Sequence, residues 1–345
     1  MGHRKADFSL LSVLMFVLIL AITAVALADV KLPAVIGDNM VLQQKTKAPI
    51  WGWAEPNEEV SITADWQHSG ISTKTDKAGK WIIKIQTPEA GGPYSMTIKG
   101  CNEIVIKNIL IGEVWLCSGQ SNMAMLVSTS ANSQQEIAAA NYPQIRIFTV
   151  EKRSTDTPQK DCKGSWLLCS PQTVQVFSAV AYFFGRELYK NLNVPVGLIN
   201  TSYGGTPAEA WTKKEVLQSE PDFKPIFDRY EQAVKDFPEA TKKFEKALAE
   251  WERNAAQAKA EGKPEPQKPA SPYGPGHNKS PSGLYNSMIV PLIPYAIRGA
   301  IWYQGEANAV RAYQYRKLFP AMIKNWRDDW GQGEFPFFFY SDNAL

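Results

Sequence analysis

From about residue 29 to residue 108, apolar and polar positions alternate in short runs. The stretch "APIWGWAEPNEEVSITADW" has the two-residue period of half-buried strands, interrupted by Pro and Gly. "GKWIIKIQTPEAGGPYSMTIKG" adds two more short strands separated by "EAGGP". Short strands at regular spacing predict a small β-sandwich over 29–108. Near Ile109 the pattern changes. "ILIGEVWLCSG" is almost continuously apolar, as in a parallel strand covered on both faces. "VPVGLIN", "IRGAIWYQG" and "FPFFFY" read the same way. Between them, "FSAVAYFFGRELYKNL" places Val180, Phe183, Phe184 and Leu188 at helical spacing, and "YRKLFPAMIKNWRDDWG" reads as a second helix. Strands alternating with helices predict an α/β domain over 109–345 with a parallel sheet and helices on both faces.

Residues 213–276 depart from that alternation. Phe227, Tyr230, Val234 and Phe237 share one helical face, and Phe244, Leu248 and Trp251 another, with Pro238 between them. The spacing predicts two helices separated at Pro238. The following "EGKPEPQKPASPYGPG" has five prolines and no strand or helix signal, so it reads as a loop or tether. The block is a helical insertion. It either shapes a substrate cleft or stands as a solvated helical hairpin.

The first 28 residues look like a targeting segment. His3, Arg4 and Lys5 precede an uncharged run from Phe8 to Ala28, which closes on "ALA" before Asp29. The expectation is cleavage after Ala28 and export, to the periplasm or outside the cell; the rival is an uncleaved anchor, since the run is long enough to span a bilayer. Export permits disulfides among Cys101, Cys117, Cys162 and Cys169. Cys162 and Cys169, close neighbours in a loop-like stretch, are the expected bridge, and Cys117 the expected buried thiol. No Cys or His spacing suggests zinc, so no metal is expected. In the 345-residue chain the net charge of +3 comes without a dense basic cluster, which excludes a nucleic-acid partner. Eleven Trp fit either sugar stacking or ordinary core packing.

Candidate chemistry lies at the strand ends, because ligands of open α/β sheets bind beyond the carboxyl ends of the strands. Three polar segments sit there: "SGQSNM", "NTSYGGTPAEAW" and "YQGEANA". Ser121 falls at a strand-to-helix turn, flanked by Gln120 and Asn122. Its hydroxyl reads either as a helix cap or, with the other two loops beside it, as a nucleophile. Gly204 and Gly205 let backbone N–H groups approach an oxyanion closely, and Gln304 and Asn308 carry side-chain amides able to donate to it. That set suits acyl transfer.

"GEVWLCSGQSNM", "INTSYGGTPAEAW", "GLYNSMIVPLIPYAIRGAIWYQGEANA" and "FPAMIKNWRDDWG", in that order, resemble the sialate O-acetylesterases of the SGNH-hydrolase superfamily. The resemblance runs from about residue 29 to Phe339. It implies a flavodoxin-like SGNH-hydrolase sheet preceded by the β domain, and a secreted serine esterase without metal or cofactor. The implied substrate is an O-acetylated sialic acid or related glycan, with no membrane contact once the leader is removed. It implies Ser121 as nucleophile and the N–H groups of Ser121, Gly204 and Gly205 with the Gln304 amide as oxyanion donors. Glu306 and Asn308 are implied as orienting residues.

The family's Asp-x-x-His block, which supplies the base, has no counterpart before Leu345. The expectation is therefore a sheet incomplete at its C-terminus and a chain nearly inactive by itself. Of the three histidines, His3 belongs to the leader and His68 to a turn. His277, in the loop "YGPGHNKSPSG", is the candidate substitute base, although no orienting carboxylate stands at a recognisable spacing. Two alternatives remain: a non-catalytic, exported glycan-binding protein, and an acetyl-xylan esterase.

Overall fold

The computed structural model describes residues 29–340; the expected targeting segment, 1–28, lies outside the described residues. The N-terminal strands are β1 (Val41–Gln43), β2 (Lys47–Trp53), β3 (Glu59–Ala64), β4 (Ile71–Lys74), β5 (Lys80–Gln86) and β6 (Gly91–Lys99). β2 pairs with β5, while β4, β3 and β6 continue antiparallel onto the first half of β7 (Glu103–Gly119). Alternation works here as the sequence implies. Trp81, Ile83 and Ile85 point inward to meet Val60 and Ile62 in one core, and Ile82 and Lys84 face outward.

β7 then crosses into a second sheet. Its far half pairs in parallel with β10 (Val196–Asn200) and β11 (Gly299–Tyr303). The sheet order is β9-β8-β10-β7-β11-β12, with β8 at Tyr142–Thr149, β9 at Trp166–Cys169 and β12 at Phe337–Tyr340. Every pair in it is parallel except β8 with β9. Asn108, with φ +58°, marks the transition within β7. Arg146 packs against it and donates to the carbonyl oxygens of Asn39, Asn108 and Pro143.

Both faces of this sheet are covered, which is why its strands read as unbroken apolar runs. Trp115, Cys117, Leu198 and Ile301 pack on one face beside helix α2 (Ala179–Leu192), which follows the single turn of α1 (Ser121–Ala124). Val114, Leu116, Ile199, Ala300 and Trp302 pack on the other, against α4 (Ala312–Trp330), which follows the long helix α3 (Lys224–Ala260). Eight of the eleven Trp are buried, so most of the tryptophan content is core material.

Two expectations are corrected. The helices predicted on either side of Pro238 are one 37-residue helix, α3. The apolar stripe keeps its phase across the proline, since Thr241, Phe244, Leu248 and Trp251 follow Phe237 at alternating steps of four and three. One lost backbone bond, worth about 3 kcal/mol, does not outweigh a helix whose remaining residues propagate well. The proline-rich segment returns along that stripe. Trp251 Nε1 donates to Pro266 O at 2.8 Å, Tyr273 packs on Tyr230, and Gly274 lies against the Phe237 ring. The second correction is that Cys162 and Cys169 form no bridge. The extended strand β9 carries Cys169 to the α2 side of the sheet, while Cys162 packs against the opposite core. Cys117 is fully buried as a thiol.

Candidate active site

The strand-to-helix turn before Ser121 depends on Gly119. Its φ of +139° lies where side chains are disfavoured, and a Cβ there would run into the Tyr303 backbone. Gln120 N donates to Tyr303 O at 2.9 Å, locking the ends of β7 and β11 together. The chain then turns into α1, leaving Ser121 exposed at its first position. Ser121 Oγ makes no hydrogen bond among the described residues. The opening N–H groups of a helix have no intrahelical partner, so the Ser121 amide is available to a ligand.

The loop after β10 folds over the same point. Asn200 Oδ1 accepts from Ser202 N at 3.0 Å and from Ser202 Oγ at 2.7 Å, which bends the chain as it leaves the strand. Tyr203 N donates to Gly119 O. Gly204 is thereby set beside Ser121, so that a Cβ added to it would lie 3.7 Å from Ser121 Cα. Gly205 follows with φ +72°. Neither glycine N–H has a hydrogen-bond partner among the described residues.

The third loop ties the first two together. Asn122 Nδ2 donates to Glu306 Oε1, and Ala307 N donates to Gln120 Oε1 at 3.1 Å, so both neighbours of Ser121 are anchored to this loop. Beneath it lies a buried polar chain. Arg311 Nη2 donates to Glu209 Oε1 at 2.8 Å, and Asn308 Nδ2 donates to Glu209 Oε2 at 2.8 Å. Asn308 Oδ1 accepts from Ala208 N and from Gln304 Nε2, and Gln304 Nε2 also donates to Thr206 O. A carboxylate only accepts, so Glu209 fixes the orientation of the Asn308 amide, and Asn308 in turn fixes that of Gln304. Both Gln304 amide hydrogens are therefore donated inside the protein. Tyr315, whose hydroxyl burial pushes up to about 12, remains a neutral donor to Gln304 O.

Tryptophans support this framework from below. Trp211 Nε1 donates to Thr206 Oγ1, Trp326 Nε1 donates to Trp211 O, and Trp302 stands edge-on to both rings. The core thus positions the Gly204–Gly205 turn directly.

His277 is not oriented as a base. Its Nδ1 accepts from Lys279 N at 3.1 Å, its ring stands edge-on to Tyr273, and burial with the Lys279 charge lowers its pKa. A neutral imidazole accepting at Nδ1 carries its proton on Nε2, leaving no lone pair for a serine proton. The adjacent Asn278 donates to Gly204 O at 3.4 Å. Burial pushes Cys162 and Cys169 up to about 12 and Cys117 higher still, so these thiols are not nucleophiles at neutral pH. Among the described residues, no group of three His, Cys, Asp or Glu stands where it would hold a metal ion.

Glu209 and Arg311 were not distinguishable in the sequence. Glu209 sits in "TPAEAW" as a lone acid between small apolar residues, which was the available signal for a buried carboxylate.

A family model for carbohydrate esterases, the sialic acid-specific acetylesterases, matches residues 111–251. Sialate O-acetylesterase of Rattus norvegicus is 30% identical over 331 residues, covering 86% of this chain and 56% of the rat protein. The Homo sapiens protein of that name is 30% identical over 322 residues, covering 86% of this chain and 53% of its own. A crystal structure of a carbohydrate acetylesterase from Xanthomonas citri superposes with a TM-score of 0.70 at 31% identity, covering 90% of this chain and 60% of that one. The chain thus spans little more than half the length of the mammalian relatives. With the domain match lying over the central sheet and the likeness extending through the N-terminal strands, the chain is similar to the sialic acid-specific acetylesterases among the carbohydrate esterases.

Proposed function

We propose that this chain acts as a serine O-acetylesterase on sialic acid or a related glycan, with Ser121 as nucleophile. One observation carries the reading. An exposed, unbonded serine hydroxyl lies beside two glycines whose N–H groups have no partner among the described residues. Ser121 Oγ attacks the acetyl carbonyl, and the N–H groups of Ser121, Gly204 and Gly205 receive the oxyanion. One such donor is worth about 3–4 kcal/mol in the transition state. Collapse of the tetrahedral adduct expels the sugar hydroxyl and leaves an acetyl-enzyme, which water then hydrolyses. Gln304 and Asn308 brace the glycine turn in this scheme, and Glu306 orients Asn122. Neither His68 nor His277 hydrogen-bonds to Ser121 among the described residues, and in this scheme the serine proton passes to water.

The test is acetate release from O-acetylated sialic acid by the chain and by Ser121→Ala. The expected result is slow release above the uncatalysed rate through an acetyl-enzyme formed on the Ser121 hydroxyl. Ser121→Ala should remove it. Equal rates for the two proteins would refute the assignment. Glycan binding that Ser121→Ala leaves intact, with no acetate released, would instead favour a binding protein. Export is part of the proposal and rests on the pattern of residues 1–28. N-terminal sequencing of the secreted protein should begin at Asp29, and recovery of Met1 would oppose it.

A further inference from the structure

A cavity of about 270 Å³ borders the Ser121 loops, and its wall includes Pro207, Glu209, Arg229, Tyr273, Lys279 and Arg311. Pro207 closes the turn that carries Gly204 and Gly205. Ala307, also on the wall, is the residue whose N–H binds Gln120. Lys279 follows Asn278, which contacts Gly204 O. The cavity is therefore one residue removed from the proposed reaction centre at three points.

Its charge is lopsided. Three cations face one carboxylate, and that carboxylate is already committed. Glu209 binds Arg311 and Asn308 inside the protein, with Arg229 Nη2 more distant at 3.8 Å. Arg229 has no other ion pair among the described residues, and Lys279 has none. Cations left in this state beside a cavity present donors to an incoming anion, and a guanidinium offers them in a fork that matches a carboxylate. Tyr273 adds an aromatic wall, packed between Tyr230 and His277.

We propose that this cavity receives the carboxylate of an acetylated acidic sugar, with Arg229 and Lys279 as its contacts, and so selects sugar acids over neutral acetylated sugars. The assignment of the cavity to substrate rests on the esterase reading of Ser121. It also gives the insertion a task. Arg229 lies on α3 and Tyr273 on the returning proline-rich segment, so the insertion supplies the specificity wall while the sheet supplies the reaction centre.

The experiment is titration calorimetry of the chain with sialic acid and with its carboxyl methyl ester, repeated on Arg229→Gln and Lys279→Gln. The wild type should bind the acid about tenfold more tightly than the ester, the scale of a lost charge-assisted contact. Each variant should lose most of that preference while its affinity for the ester stays unchanged. Added salt should weaken the acid and not the ester. Equal affinity of the wild type for acid and ester overturns the proposal without any mutation. So does a preference that survives both variants, or no binding of either ligand. Acetyl release from p-nitrophenyl acetate, measured beside Ser121→Ala, reads the esterase assignment separately. Turnover without an acid preference sinks the subsite alone, and an acid preference without Ser121-dependent turnover sinks the esterase reading alone.

Discussion

Gly119→Ala should destabilise the protein far more than an ordinary glycine replacement. A φ of +139° costs a side-chain-bearing residue roughly 1–2 kcal/mol. The new Cβ would also press on the Tyr303 carbonyl oxygen, at 2.7 Å from its carbon and 2.9 Å from the Tyr303 nitrogen. These are backbone atoms of the adjacent strand, so no flexible side chain yields. The oxygen is the nearest of the three atoms, so the ends of β7 and β11 must separate by about 1 Å to restore ordinary contact. That breaks the bond from Gln120 N to Tyr303 O, worth about 1 kcal/mol. Strain, clash and lost bond together come to about 2–4 kcal/mol. Gly331→Ala is the control, because Gly331 has φ +63° and a Cβ there meets nothing within 4 Å. It should cost about 1 kcal/mol. Urea unfolding followed by tryptophan fluorescence measures both. In any protein that still folds, Ser121 is displaced, and turnover should fall about a hundredfold. A Gly119→Ala midpoint no lower than that of Gly331→Ala would show that the Tyr303 backbone does not crowd position 119.

Asn308→Leu should cost at least about 3 kcal/mol, because it leaves Ala208 N, Glu209 Oε2 and Gln304 Nε2 without their buried partner; an unchanged urea midpoint would show that the brace carries no stability. His277 should titrate below the ordinary histidine value of about 6.5, since burial and Lys279 oppose its protonation. The unfolded chain then takes up this proton first as pH falls, so the contribution is fully present above about 6.5 and is lost as pH falls from there through the lower folded value. Histidine NMR should show the depressed titration, and Lys279→Gln should move it upward. Cys162 and Cys169 should both react with a thiol reagent in the denatured chain without prior reduction; a bridge that must be reduced first would contradict the fold.

The sequence revealed the parts of the fold that repeat locally. Period-two strands such as β5, the unbroken run of β7 and the helical spacing of α2 each carry their burial in their own order of residues. Loops at the carboxyl ends of neighbouring parallel strands must meet, and Gly204 does lie beside Ser121 while Asn122 reaches Glu306. What stayed hidden depends on partners far apart in the chain. Glu209 and Asn308 are 99 positions apart, and only their contact determines which way the Gln304 amide faces. A side-chain amide next to a reaction centre looks like a donor in sequence, and its commitment to Thr206 and Asn308 appears only in three dimensions. Pro238 misled for a related reason. A proline is a strong local signal, but the unbroken phase of the stripe on either side of it was the stronger one. The Cys pairing failed because seven positions of separation say nothing of which sheet face each thiol joins.

Ser121 is the residue proposed to take the acetyl group. Mass spectrometry of the chain after brief mixing with p-nitrophenyl acetate tests it most directly, because an activated ester reports the nucleophile even where the proton acceptor is weak. A single acetyl adduct on the peptide that contains Ser121, absent from Ser121→Ala, is the expected result. An adduct on another residue, or one that forms equally in Ser121→Ala, would contradict it.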